Sequence, residues 1–245
     1  MTQPLPNDYS PASNALQDKV IAITGAGAGI GRSAAISFAQ HGATVILMGR
    51  TIAKLEAVYD EIESGGGPQP AIYPIDLSGA TEQDYINVAQ SIFDTFKRLD
   101  GLLHNAAELG ERTSINNYSA DTWQRVMQIN VNAPFMLTKS LLPIMEHSSN
   151  ASIVFTGSSV GYQGRAFWGA YAASKAAQEN LMQTLAQELE GICKIRVNSV
   201  NPGATRTATR AKAYPAENPA NVKTPDKLMN AYLYLFTDDS QHISG

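Results

Sequence analysis

Val20-Ile-Ala-Ile-Thr24 runs without a break into Gly25-Ala-Gly-Ala-Gly-Ile-Gly31. The first five residues read as a short strand buried on both faces. The glycines that follow permit a tight turn and let a ligand approach the backbone closely. An apolar pattern then continues to about His41, and Gly42 ends the expected helix. A strand, a glycine turn and a helix in that order form a βα unit. Its helix N-terminus presents free N–H groups and a positive dipole end to a pyrophosphate.

The alternation continues outward from this unit. Residues 44–48, 71–75, 99–103, 152–156 and 195–200 read as further strands, with helices expected over about 51–63, 81–97, 119–147 and 171–189. Strict β-α order with near-continuous apolar strands predicts an α/β fold, a single doubly wound parallel sheet with helices on both faces. Residues 1–17, with Pro4, Pro6 and Pro11, read as an extended arm, and 18–245 as one domain. The 245 residues, 44% hydrophobic and 16% charged, suit that reading. A net charge of −4 gives no electrostatic case for nucleic acid or an anionic membrane. No apolar run approaches the ~18 residues of a membrane span. No apolar segment follows Met1, so a signal peptide is not expected and a cytoplasmic location is. The single Cys193 excludes an intrachain disulfide and a cysteine-based zinc site, and no metal is expected.

Tyr171 and Lys175 stand four residues apart, on one face of the last long helix. A lysine ammonium beside a phenol favours the phenolate. Moving the phenol from near 10 to about 7 takes roughly 3 units, or about 4 kcal/mol. A tyrosine so tuned exchanges protons with an alcohol or carbonyl at neutral pH. The stripe continues through Gln178, Met182, Leu185 and Leu189 and is expected to pack inward. Pro134 lies four residues after Asn130 and has no N–H, so the Asn130 carbonyl loses its helical partner and a local kink is expected. That carbonyl is expected to accept a bond from a water that also contacts Lys175.

The glycine spacing, Thr-Gly-x-x-x-Gly-x-Gly, together with Tyr171-x-x-x-Lys175, resembles the classical short-chain dehydrogenase/reductase family over about residues 19–245. The resemblance implies a Rossmann-type sheet in the order 3-2-1-4-5-6. The seventh strand common in the family would begin where this chain reads Ser244-Gly245, so that strand is expected to be either truncated from this sequence or absent. It also implies a nicotinamide cofactor cradled by Gly25, Gly27, Gly29, Ile30 and Gly31. Where NAD enzymes carry an acid, this chain has Gly49-Arg50 and no carboxylate until Glu56. An arginine suits a 2′-phosphate, so NADP(H) is expected, with the Thr51 hydroxyl as a second contact. Ala28 stands where some relatives carry a further basic residue. Asp76 and Leu77 are expected against the adenine. His104-Asn105-Ala106-Ala107 is similar to the family's Asn-Asn-Ala-Gly, with Asn105 and Ala106 bordering the adenosine and Ala107 departing from glycine. Pro202 and Gly203 are expected beside the nicotinamide, and Thr207 at the phosphates or the amide.

The catalytic set implied by the resemblance is Asn130, Ser158, Tyr171 and Lys175. Tyr171 exchanges the proton with the substrate oxygen, Ser158 hydrogen-bonds that oxygen, and Lys175 lowers the tyrosine pKa and binds the nicotinamide ribose. Ser159 remains the alternative to Ser158. Residues 204–223 are the expected substrate loop, carrying Arg206, Arg210, Lys212 and Lys223 against Glu217; Phe167 and Trp168 are candidates for the substrate wall. The implied activity is hydride transfer between NADP(H) and a small carbonyl or secondary alcohol. The alternatives are a 3-oxoacyl-thioester reductase and a non-catalytic nucleotide-binding sensor or interaction protein. A homodimer or homotetramer is expected, with no nucleic-acid or membrane partner.

Overall fold

A computed structural model describes residues 9–245. Six strands form one parallel sheet in the order β3-β2-β1-β4-β5-β6: β1 Val20–Thr24, β2 Thr44–Gly49, β3 Ala71–Pro74, β4 Gly101–His104, β5 Ala151–Thr156 and β6 Ile195–Val200. β1 sits centrally, with Val20 opposite Thr44 on one side and Ile21 opposite Gly101 on the other. Every residue of β1, β4 and β5 is buried, as a parallel strand covered on both faces requires.

Successive residues of β1 feed two different cores. Ile21 and Ile23 join Val45, Leu47 and Val154 beneath helices α1 (Gly29–Gln40) and α2 (Ile52–Ser64). Val20 and Ala22 join Ile46, Leu102 and Ile153 on the opposite face. There they meet α3 (Glu82–Phe96), α5 (Ala133–Met145) and α7 (Gly169–Leu189), to be distinguished from α4 (Ala120–Met127) and the one-turn α6 (Ser159–Tyr162). Period-two alternation thus decides which helix layer each strand residue meets. The remaining helices are α8 (Ala208–Ala213), over the carboxyl ends of the strands, and α9 (Met229–Phe236), which returns to the first core.

Helix ends follow local chemistry. Thr81 caps α3 in a reciprocal box, its N–H donating to the Asp84 carboxylate at 2.7 Å, and Lys97 ends the helix at φ 65°. The single helix expected over 119–147 is interrupted. Between α4 and α5, Gln128–Asn132 form one π-helical turn, in which the Ala133 N–H bonds back to Gln128 O. Pro134 supplies the physical reason, because it lacks the donor that an α-helical Asn130 carbonyl would need.

Residues 1–8 of the expected arm lie outside the described residues. The described remainder is packed. Tyr9 meets Tyr234 edge-on at 4.8 Å, and Leu16 is fully buried with its N–H on His41 O. At the other end, the Gly245 N–H donates to Val197 O on the outer edge of β6. No helix among the described residues is long and apolar enough to cross a membrane.

Candidate active site

A cleft of about 640 Å³ opens at the carboxyl ends of the strands, beside the crossover between β1 and β4. Open α/β sheets bind ligands at this position.

One wall is the glycine loop. Gly25 and Gly29 take positive φ values, 69° and 56°. Ala28 precedes α1 and offers no side-chain cap, and the first turn holds no acid, so its N–H groups remain free for an anion. Gly25, Gly27, Gly29 and Ile30 line the cleft, but Gly31 does not. A Cβ on Gly31 would overlap the Gly25 carbonyl and the Asn105 amide. This glycine serves the packing of α1 on its own loop. Asn105 and Ala106 line the cleft from β4. Both donate backbone N–H bonds to Thr24 Oγ1, at 3.0 and 3.1 Å, and the Asn105 amide reaches Thr24 O at 3.2 Å. The loop after β4 is thereby pinned to the glycine loop. Ala107 also lines the cleft.

The far end of this wall is cationic. Arg50 and Thr51 line it and are exposed. Thr51 caps α2 without a side-chain bond, so its hydroxyl and the first α2 amides are unspent. Sequence reasoning missed Lys54. It stands one turn after Arg50, and a Cβ on Gly27 would come within 2.9 Å of its own Cβ. Its side chain therefore begins against the glycine loop, where Ala28 offers no charge. Asp76 and Leu77 also line this end, and bonds from Ser78 N–H and Oγ hold the Asp76 pKa below the usual carboxylate range.

The other end holds Ser158, Ser159, Tyr171 and Lys175. Ser158 is the extended cap residue before α6 and its hydroxyl reaches the Tyr171 phenol, while Ser159 is exposed. The expected lowering of the Tyr171 pKa is corrected here. Burial raises it to about 12, against a smaller lowering by the Ser158 bond. Lys175 does not reverse this. Its Nζ is 5.7 Å from the phenol ring centre and donates to Thr156 O and Gln178 Oε1, each at 2.8 Å. Burial lowers the lysine's own pKa to about 8, with Glu179 opposing.

Asn130 does not line the cleft. Its side chain is fully buried and spent: Oδ1 accepts from Glu108 N–H at 2.8 Å, and Nδ2 donates to Glu108 O and Ser174 Oγ, each at 2.9 Å. It ties the loop after β4 to α7.

Pro202, Gly203 and Thr207 line the cleft from above. Thr207 caps α8, accepting from Arg210 N–H, and a Cβ on Gly29 would stand 3.3 Å from its methyl. The loop over 204–223 is thus folded down onto the glycine loop. Its basic character is partly neutralised. Arg210 makes two 2.6 Å bonds to Glu217 and stacks 3.7 Å over Tyr214. Arg112 fastens the loop, lying 4.2 Å over Trp168 and donating to Ala213 O at 2.8 Å. Trp168, Leu109, Val160 and Ala213 form an apolar cluster against Tyr171 and Tyr214. Trp168 faces the cleft, whereas Phe167, at φ 69°, is 55% exposed and turned out.

A model of the family described as short chain dehydrogenase matches residues 19–218. The uncharacterized oxidoreductase YciK of Escherichia coli K12 is 49% identical over 237 residues, covering 97% of this chain and 93% of that protein. A short chain dehydrogenase structure from Shigella flexneri 2a, complexed with NADP, is 49% identical with a TM-score of 0.93, covering 95% of this chain and 97% of that one. One from E. coli CFT073, complexed with NADPH, is 50% identical with a TM-score of 0.93, covering 96% and 97%. With the glycine turn, the Tyr171–Lys175 pair and the strand order already in place, these likenesses identify the chain as an oxidoreductase of the short-chain dehydrogenase family.

Proposed function

We propose that this protein is an NADP(H)-dependent oxidoreductase that moves a hydride between the nicotinamide and a small carbonyl or secondary alcohol, with Tyr171 as general acid/base. The observation that carries the reading is the shared cleft, with an uncapped, acid-free helix start at one end and the Ser158–Tyr171 pair at the other. NADP and NADPH in the two related structures support the cofactor.

The residues fit that cofactor. Gly25, Gly27, Gly29 and Ile30 with the first α1 amides would take the pyrophosphate. Arg50, Thr51 and Lys54 would take the 2′-phosphate, through charge-assisted bonds unavailable to NADH. Asp76, Leu77, Asn105 and Ala106 would border the adenosine. Pro202, Gly203 and Thr207 would border the nicotinamide half, with Lys175 and Tyr171 at its ribose. The bound nicotinamide supplies or accepts the hydride.

The chain's own groups handle the oxygen and its proton. Ser158 donates to the substrate oxygen and stabilises negative charge developing there. Tyr171 holds its proton at neutral pH because burial raises its pKa to about 12. The resting protonation state is therefore that of an acid, which suits carbonyl reduction. Lys175 lies one turn along and returns the proton through a water held by the Asn130 carbonyl. The apolar cluster around Trp168 excludes bulk water.

Arg165 lines the rim, and its guanidinium makes no hydrogen bond or ion pair among the described residues, its carbonyl alone accepting from Trp168 N–H. It favours a carbonyl compound bearing an acidic group, 3-oxoacyl thioesters with their phosphate-bearing carrier among them. The intact catalytic set weighs against a sensor without turnover. The reading also takes the protein as a cytoplasmic homodimer or homotetramer, supported by the unpaired Cys193 and by Phe135, an apolar side chain left 48% exposed on α5. NADPH oxidation should be screened over ketones, aldehydes, quinones and 3-oxoacyl thioesters, with Tyr171→Phe as the control. NADPH consumption that survives in Tyr171→Phe, or NADH preferred to NADPH, refutes the reading.

A further inference from the structure

Gln178 is the last of the buried polar side chains on α7, after Ser174 and Lys175. On the buried side of α7 it is followed by Met182, Leu185 and Ala186, and it is itself only 2% exposed. Its amide makes one bond. Oε1 accepts from Lys175 Nζ at 2.8 Å, and Nε2, equally buried, has no partner. A lysine ammonium only donates, so the atom facing it must be the amide oxygen. The orientation of the amide is thus set by the lysine, and the cost falls on its own N–H group. A leucine of similar volume would incur no such cost, so packing alone does not account for a glutamine here.

The consequence for Lys175 is geometric. Thr156 O and Gln178 Oε1 take two of its three hydrogens and hold Nζ under the end of β5. One hydrogen remains for the cleft. We infer that Gln178 is a positioning residue for Lys175, a neutral acceptor that fixes the ammonium between β5 and Tyr171 and leaves one N–H free to serve the reaction. The inference rests on the proposed oxidoreductase reading for what that last N–H does, but the coupling of Gln178 to Lys175 can be measured by itself.

Other groups act on the same ammonium. Glu179, the next residue of α7, attracts it. His104, at the end of β4, is held neutral down to about 3 by burial and then by the ammonium itself. Tyr171 and, from α9, Tyr232 are both raised by burial and stay protonated through the neutral range. With these constant, the charge of residue 178 is the variable. A carboxylate there should hold the lysine proton about tenfold more tightly, and a hydrocarbon should release it more readily than the amide does.

The experiment is the titration of Lys175 by NMR of its side-chain nitrogen in the wild type, Gln178→Leu and Gln178→Glu. It is paired with NADPH affinity by fluorescence across the same pH range and with turnover on any substrate the screen finds. The expected order of the lysine pKa is leucine lowest, glutamine intermediate and glutamate highest by about one unit. The pH at which NADPH affinity falls should follow the same order. A purely structural glutamine would alter melting and leave the titration of Lys175 unmoved, and that result overturns the inference. Should the leucine variant not fold, Gln178→Met takes its place and is read by the same criterion. If the order holds while the wild type neither binds NADPH nor turns over, the oxidoreductase reading falls and the positioning of Lys175 stands.

Discussion

Lowering the pH should weaken the fold through His104. Its imidazole is 2% exposed, stacked at 4.6 Å on Phe155, with Nε2 2.7 Å from Thr138 Oγ1. Burial, then repulsion by Lys175, brings its pKa from 6.5 to about 3. The folded protein therefore keeps a neutral ring where the unfolded chain takes up a proton. Stability falls as pH drops below 6.5, continues to fall until about 3, and is unaffected by this group above 6.5. Between about pH 7.5 and about pH 5 the loss is ~2 kcal/mol, and over the whole interval it approaches ~5 kcal/mol. Against a typical 5–15 kcal/mol for a domain, roughly, that is a large share. Urea unfolding at half-unit steps over this range measures it, with His104→Asn as the comparison. The variant should lose the part of the slope equal to one proton. If His104→Asn has the same slope as the wild type, the imidazole is not the group responsible. The outcome bears on function, because a loss of activity as the pH nears about 3 would then report unfolding and not a catalytic acid.

Arg50→Ala should weaken NADPH binding about tenfold, roughly 1.4 kcal/mol, and leave NADH unchanged; Lys54→Ala should act in the same direction, and fluorescence titration with both nucleotides checks each. Asn130→Ala removes three hydrogen bonds of a buried side chain, leaves Glu108 N–H unpaired and should cost about 3 kcal/mol in urea unfolding, whereas Ser174→Ala, losing its bonds to Asn130 and to Tyr171 O, should cost about 2 kcal/mol. Gly31→Ala should cost roughly 2 kcal/mol or more, because the new methyl would overlap the Gly25 carbonyl, whereas Gly79→Ala meets nothing within 4 Å; thermal melts compare the pair.

What could be read in advance was what depends on chain-local order. The glycine turn declares itself because strand, turn and helix are contiguous from Val20 to Gln40. The break near Asn130 was legible because the missing donor, Pro134, lies one helical turn away. Lys54 was not legible as a cleft residue, because its nearness to Gly27 depends on how α2 packs across the glycine loop. The pairing of Arg210 with Glu217 depends on the fold of a loop whose composition alone suggested free charge. The residues Phe167 and Trp168 look equivalent in sequence. A left-handed backbone at Phe167 sends one outward and the other into the apolar cluster.

Tyr171 and Lys175 show where spacing stops being informative. Four residues on a helix establish adjacency, and adjacency predicts attraction between ammonium and phenolate. The sign of the shift depends instead on which influence is larger. The phenol stands half-buried on the cleft wall beside Ser158, and the ammonium is drawn to Thr156 O and Gln178 Oε1, so the desolvation of the phenol prevails and it keeps its proton. The same burial brings Lys175 to about 8, closer to neutrality than its neighbour. On the proposed reading the two tasks therefore separate. Tyr171 is the acid that meets the substrate oxygen, and Lys175 is the group whose proton exchanges readily at physiological pH. A pH–rate profile for carbonyl reduction should then bend near the lysine's pKa, and Gln178→Glu should move that bend upward by about one unit. A bend that stays in place in Gln178→Glu but vanishes in Tyr171→Phe assigns the titration to the phenol and refutes this division of labour.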